Sequence, residues 1–363
     1  MSFFSRLLQP PTYLKLPIFG LDISDRAFKY MKFKETPRNL HVDDFGIEPL
    51  PVGLVDSGLI TDTGALAQIL RAHFAKKPYR FVALALPEEK GFVRTIRMPR
   101  VEPEELHEAI SLQLEEYIPL PLEEISFAYQ AIPDHSPETM DVLITAFPRM
   151  LLSTYIDTIK QADLIPVSLE IESQAIARAI IPPQEQPEIV LVIDIGLTRT
   201  SFLFAQYGLT HLTSTMPLGG KSFHEAIMKA LQVQEPEAER LKKEHGLSNS
   251  KDAKPVFDAL IPLMKTLVEE VLRRTEFWQE EHRRDYQGNR NKARVGRVYL
   301  CGREANLTGL ARHLSVELNV PVSLANVWSN VIEDPSYIPE IEFRDSLGYA
   351  TSIGLALGAR LAY

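Results

Sequence analysis

The chain has 363 residues, 45% hydrophobic and 24% charged, a composition that supports a folded protein of two domains and excludes one small domain. Its 39 basic and 48 acidic residues leave a net charge of −9, which argues against a general nucleic-acid binder, whose phosphate-facing surface needs clustered positive charge. A lone cysteine, Cys301, excludes an internal disulfide and a cysteine-based zinc site, and no run approaches the roughly 20 apolar residues of a membrane-spanning helix.

Residues 1–17 carry an apolar patch (Phe3, Phe4, Leu7, Leu8) broken by Pro10 and Pro11, too short for a secretion signal. They read as an amphipathic or loose arm. Three strands follow, over 16–22, 28–33 and 39–50. A helix capped by Thr61 or Asp62 then buries Leu66, Ile69, Leu70 and Phe74 and leads to a strand at Phe81. An acidic amphipathic helix over 102–116 ends at Pro119 and Pro121 and is followed by an edge strand over 125–132. Strand 141–147, helix 150–162, strand 166–171 and helix 172–181 complete a first half, which closes at the Pro-rich linker 182–188.

The second half opens on VLVIDIGLTRTSFLFAQYGL from Val190, a strand, a turn and a second strand. Asp194 stands at the carboxyl end of the apolar strand, where a hydrated Mg²⁺ fits. Gly196 lets backbone amides approach an anion, and Thr198 and Thr200 add hydroxyl donors. A plain β-hairpin with a glycine turn is the other reading of these residues. The chain repeats the theme from Ile18, where IFGLDISDRAFKYMKF again sets an aspartate, Asp22, before a polar turn and a second strand. Two such hairpins, each opening a half, suggest two similar domains facing a shared ligand. Residues 256–284 read as a long packing helix, and the basic stretch 288–297 as a solvated loop.

These hairpins resemble those of the actin-like ATPase superfamily, and further segments are similar in order and spacing to the PilM-type assembly proteins of the type IV pilus, relatives of FtsA. They are EEYIPLPLEEISFAYQAI from Glu115, SLEIESQAIARAI from Ser168, MPLGGKSFHEAIMKAL from Met216, EPEAERLKKEHGL from Glu235, VYLCGREANLTGLARHL from Val298 and LGYATSIGLALG from Leu347. The resemblance implies an α/β, actin-like (RNase H-like) fold with a nucleotide cleft between two domains. The expected domains are 18–185, with an inserted subdomain over about 87–165 beside it, and 186–345, with a C-terminal helix over 346–363 returning to the first domain.

By the same resemblance ATP and Mg²⁺ are the implied cofactors, with Asp22 and Asp194 holding the metal through water. The turns Ser24, Asp25, Arg26 and Gly196, Leu197, Thr198, with Lys29 and Thr200, hold the phosphates; Gly219, Gly220 and Lys221 open a helix toward the same anion. Glu239 and Lys242, at i and i+3, are assigned to ribose and to phosphate or adenine, and Gly302 and Arg303 flank the adenosine; an ordinary surface ion pair is the alternative for Glu239 and Lys242. Glu172 is the candidate for orienting an attacking water, dipole stabilisation being its alternative. Ser24 and Cys301 stand where the family has glycine, and Asp25 adds a negative charge beside the first turn.

The implied function is a cytoplasmic ATP-binding scaffold, at most a weak ATPase, peripheral to the inner membrane. Its implied partners are the tail of a PilN-like protein, other pilus platform proteins and further copies of itself, with no nucleic acid. A metabolic kinase on the same fold and a nucleotide-free scaffold are the competing classes. The tail is expected in a groove between the inserted subdomain and the first domain.

Overall fold

The computed structural model describes residues 16–362 apart from 37–39, 119, 133–137, 183–187, 207, 282–293 and 333–335. Residues 1–15 of the arm expected over 1–17 and most of the 288–297 loop lie outside the described residues.

The chain opens with β1 (Ile18–Ile23), β2 (Ala27–Glu35) and β3 (Leu40–Pro49), then a short hairpin of β4 (Val55–Asp56) and β5 (Leu59–Ile60). The helix α1 (Thr63–Phe74) is capped by Asp62, whose Oδ1 accepts the Ala65 N–H at 2.9 Å. Leu66, Leu70 and Phe74 point into the core, while Ile69 is only half-buried. β6 (Phe81–Leu86) follows, and later β10 (Ile165–Ile171), α3 (Arg149–Gln161) and α4 (Glu172–Ile180) complete this half. The first sheet runs β10-β6-β1-β2-β3, with β6 and β10 parallel to β1 and with β2 antiparallel to both of its neighbours.

The second half repeats this plan. β11 (Ile189–Ile195), β12 (Thr200–Gln206) and β13 (Leu209–Met216) form the meander, and β14 (Val295–Cys301) and β15 (Val322–Leu324) add parallel strands beyond β11. Around them lie α5 (Gly220–Leu231), α6 (Glu235–His245), α7 (Lys254–Glu281), α8 (Leu310–Leu318), the short α9 (Phe343–Ser346) and α10 (Ala350–Ala362). Parallel strands need crossover helices, so the central strands β6 and β11 are covered on both faces, and they accordingly read as apolar runs, FVALAL and IVLVI.

Sequence reasoning passes over β4, β5, β13 and β15 and, with most consequence, over one long strand. β7 (Phe92–Pro99) buries Val93, Ile96 and Met98 but carries Arg94, Thr95 and Arg97 between them, which breaks the apolar alternation. It pairs with β9 (Thr139–Pro148), which pairs in turn with β8 (Ile125–Ile132), and α2 (Leu106–Tyr117) closes a small separate core over them through Leu106, Ile110 and Leu114. The inserted segment is expected beside the first domain, and Val93, Leu143 and Phe147 do join that domain's core. It reaches the other half as well. The pair Leu212↔Arg94 joins β7 to β13, so the second sheet runs on as β15-β14-β11-β12-β13-β7-β9-β8.

The C-terminal α10 packs over β1 and α4, an approach that two glycines permit. A Cβ on Gly20 would lie 2.2 Å from the Ser352 carbonyl oxygen, and one on Gly354 would lie 1.7 Å from the Ala175 carbonyl oxygen.

Candidate functional site

Both aspartates end apolar strands whose turns face one cleft between the two halves. The cleft has a volume of about 460 Å³, within the range of small-molecule sites. Asp22, Ser24, Asp25, Arg26, Lys29, Glu172, Asp194, Gly196, Leu197, Thr198, Glu239, Gly302 and Arg303 line it. The Lys29 ammonium donates to Asp22 Oδ2 at 3.3 Å. Burial holds the Asp194 carboxyl above its ordinary value, Lys29 pulls it down and the nearby Asp22 charge raises it further. Cys301, opposite Asp194 on β14, is buried, and its desolvation with the Asp194 charge keeps the thiol neutral as a donor to that carboxylate. Gly302 follows with φ of +84°, and a Cβ there would sit 2.4 Å from Asp194 Oδ1, so no larger residue fits beside that carboxylate.

The two turns touch. Thr198 Oγ1 donates to Asp25 Oδ2 at 2.9 Å, and the other Asp25 oxygen accepts the Gly58 N–H at 3.2 Å. Asp25 thus takes up hydroxyl and amide donors, and Ser24 Oγ folds back onto the Ala27 carbonyl at 2.8 Å. The Ser24 side chain is thereby absorbed within its own turn.

Other expected positions are engaged elsewhere. Thr200 is fully buried and donates to the Leu218 carbonyl at 2.6 Å. The Gly220 and Lys221 N–H groups at the start of α5 donate to the Gly196 and Leu197 carbonyls at 3.0 and 2.8 Å. Gly219 is required for this docking, because a Cβ there would lie 2.6 Å from the Gly196 oxygen. The Lys221 side chain is exposed and lies 3.8 Å from Glu225. Lys242 is buried against Glu304, while Glu239 pairs with Lys243 at 2.7 Å. The i, i+3 spacing of Glu239 and Lys242 therefore yields neither a surface pair between them nor a free lysine.

Three residues that sequence reasoning passed over shape the site. Arg199, nearly buried in the second turn, donates from Nη1 to Glu89 at 2.7 Å and from Nη2 to both Glu172 oxygens at 3.0 and 3.2 Å. His224 lines the cleft beside Glu235 and Glu239, and its buried Nε2 has no hydrogen-bond partner among the described residues. Glu304 supplies the buried partner of Lys242. All three lie within segments quoted above, but nothing local marks their roles apart from the T-R-T of the turn, which sets a cation by the anion loop.

Glu172 is buried, and desolvation pushes its carboxyl up to about 8; Arg199 opposes this, while Asp22, Glu89 and Glu88 add to it. Between an ordinary value near 4.5 and about 8, the folded chain keeps a proton that the unfolded chain has released, so stability falls as pH rises through that window. Glu172→Gln removes the slope. The Tm of wild type relative to this variant is expected to fall from pH 5 to pH 8, equivalent to at least about 1 kcal/mol. Equal pH profiles by differential scanning calorimetry would contradict it.

The residues present fit a magnesium-bound nucleotide. The Leu197 and Thr198 N–H groups have no backbone partner among the described residues, His224 Nε2 is unpaired, and carboxylates and an ammonium converge at the turns. Among the described residues no group of three or more His, Cys, Asp and Glu side chains is placed to hold a metal ion by itself. No helix among the described residues is long and apolar enough to cross a membrane.

A family model for the type IV pilus assembly protein PilM matches residues 20–360. Among solved structures the chain is similar to a PilM-PilN type IV pilus biogenesis complex, with a TM-score of 0.78 and 25% identity over 95% of this chain and 99% of that one. MreB5 of Spiroplasma citri bound to AMPPNP shares the fold, with a TM-score of 0.57 and 14% identity over 97% of this chain and 98% of that one. So does the ethanolamine utilization protein EutJ from Carboxydothermus hydrogenoformans, with a TM-score of 0.53 and 17% identity over 96% and 90%. With one α/β plan repeated in its two halves and the match running from residue 20 to residue 360, the chain belongs to the type IV pilus assembly protein PilM family.

Proposed function

We propose that the protein binds Mg·ATP in the cleft and serves, on the cytoplasmic face of the inner membrane, as a peripheral scaffold that holds the tail of a PilN-like protein. The observation that carries the nucleotide reading is the pairing of Asp22, buried, and Asp194, partly buried, at the ends of equivalent strands and lining one cavity. Bound Mg²⁺ supplies charge neutralisation between the phosphates. Asp22 and Asp194 orient its water ligands, Lys29 balances their charge, the Leu197 and Thr198 amides bind phosphate oxygens, and His224 with Glu239 meets the nucleoside. Glu172 is held by Arg199, so its use in orienting water requires that pair to open; the nucleotide serves here as a conformational ligand.

The tail reading is supported by the similar PilM-PilN complex and by a groove of about 320 Å³. That groove separates two sheet edges, β8 of the inserted layer and β10 of the first sheet, and Leu152, Ile156 and Tyr129 give it an apolar floor and rim. Free strand edges with alternating pockets suit an extended peptide, which adds backbone hydrogen bonds to a few apolar anchors. Titration of the full chain with Mg·ATP and with a synthetic PilN-like cytoplasmic tail tests both parts. Failure of ATP to bind at millimolar concentration would leave a nucleotide-free scaffold. Tyr129→Asp, at a half-exposed groove position, is expected to weaken the tail at least about tenfold, leaving Tm and ATP affinity unchanged; undiminished tail binding would remove the groove from the reading.

A further inference from the structure

Three consecutive residues at the start of α4 face three parts of the molecule. Glu172 accepts from Arg199 Nη2 at 3.0 Å, the Ser173 N–H donates to Glu88 Oε2 at 3.0 Å, and Gln174 Nε2 donates to Thr145 Oγ1 at 3.0 Å. Arg199 belongs to the second turn of the nucleotide cleft, Glu88 opens the inserted subdomain, and Gln174 and Thr145 line the groove. The same guanidinium holds Glu89 at 2.7 Å. One side chain of the second half thus clamps both a first-half helix and the entry to the insertion.

Carboxyl groups outnumber cations around the clamp. Glu88, Glu89, Glu172 and Asp22 surround Arg199 and Lys29, and one oxygen each of Glu88 and Glu89 is buried without a hydrogen-bond partner among the described residues. A further anion entering this floor must draw on one of the two cations. Arginine suits such an exchange, because its planar fork can leave one bidentate oxygen pair for another without losing charge.

We propose that Arg199 distinguishes a nucleoside triphosphate from a diphosphate by exchanging Glu172 for the terminal phosphate, and that the freed first turn of α4 resets the affinity of the tail groove. This rests on the nucleotide and tail readings above. Release of Glu172 loosens the turn that carries Gln174, and with it the bond that fixes Thr145 in the groove wall. Because coupling is reciprocal, the tail favours one nucleotide over the other by the factor by which that nucleotide favours the tail.

The test uses the full chain, Mg·ATP, Mg·ADP and a synthetic PilN-like tail peptide in isothermal titrations. In wild type the Kd for the tail is expected to differ at least about fivefold between the ATP-saturated and ADP-saturated protein. Arg199→Met should bring this ratio to about one with little change in ADP affinity. Glu172→Gln acts in the opposite sense: with a weaker clamp, ATP binds more tightly and the nucleotide-free protein takes the tail affinity of the ATP-bound form. Should Arg199→Met fail to fold, Arg199→Lys keeps the charge without the fork and is expected to lose the ratio likewise.

A wild-type ratio of one with all three ligands bound, or an unchanged ratio in the Arg199 variants, would overturn the assignment. Failure of either nucleotide to bind sinks the nucleotide reading and this proposal together. If nucleotides bind and the tail does not, the tail reading fails alone. Hydrogen exchange over residues 168–176 then decides: an ATP–ADP difference present in wild type and lost in Arg199→Met supports the role of Arg199, and one retained in the variant refutes it.

Discussion

Asp194→Asn should weaken Mg·ATP binding by about 10- to 100-fold without loss of stability, because its carboxylate is expected to act on the metal through ordered water. The carboxyl is partly buried near a second carboxylate, Asp22, and desolvation already disfavours its charge. The amide keeps the volume of the side chain and removes an expensive charge, so folding is expected to be unharmed and the ligand effect stands alone. Asp194→Ala should abolish binding outright, with the addition of a small cavity beside Cys301. Isothermal titration with parallel thermal unfolding checks both variants. Wild-type affinity in Asp194→Asn would remove this residue from the metal site.

The largest loss of stability is expected at Gly354. A Cβ there would meet the Ala175 carbonyl oxygen at 1.7 Å, and that oxygen belongs to the backbone of α4, which cannot rotate away. Gly354→Val is expected to cost more than about 3 kcal/mol, lowering Tm by about 4 °C or more, with Gly354→Ala intermediate. The same change should weaken nucleotide binding, since Gly348 and Thr351, beside and within α10, line the cleft. Gly53 provides the contrast: its φ is +82° but a Cβ there has nothing within 4 Å. Gly53→Ala should therefore cost only the backbone strain, about 1 kcal/mol. Thermal melts of the three variants check the ranking, and a Gly354→Val protein as stable as Gly53→Ala would show that α10 does not pack on α4.

The hairpins were legible because their signals are local. An apolar run, an aspartate and a short polar turn occupy adjacent positions, and β1, β2, β11 and β12 arise where alternation and turn residues put them. β7 was illegible for the converse reason. Its charged residues disguise a strand that is held by β9 and, through one residue pair, by β13. Sequence reasoning also gave the start of α5 to a bound anion, whereas two of its amides are spent on the Gly196 and Leu197 carbonyls, a contact between segments that no local pattern announces.

The sequence by itself determined the two-half α/β plan, the paired aspartate turns and the family resemblance, since each rests on residue types within a few positions of one another. Only the tertiary structure decided which side chains remain available in the cleft. Arg199 finds Glu89 at a separation of 110 residues and Glu172 at 27, Thr198 finds Asp25 at 173, and Lys242 finds Glu304 at 62. Buried charges must be paired, and the partner is whatever the packed fold brings within hydrogen-bond reach rather than what lies one helical turn away.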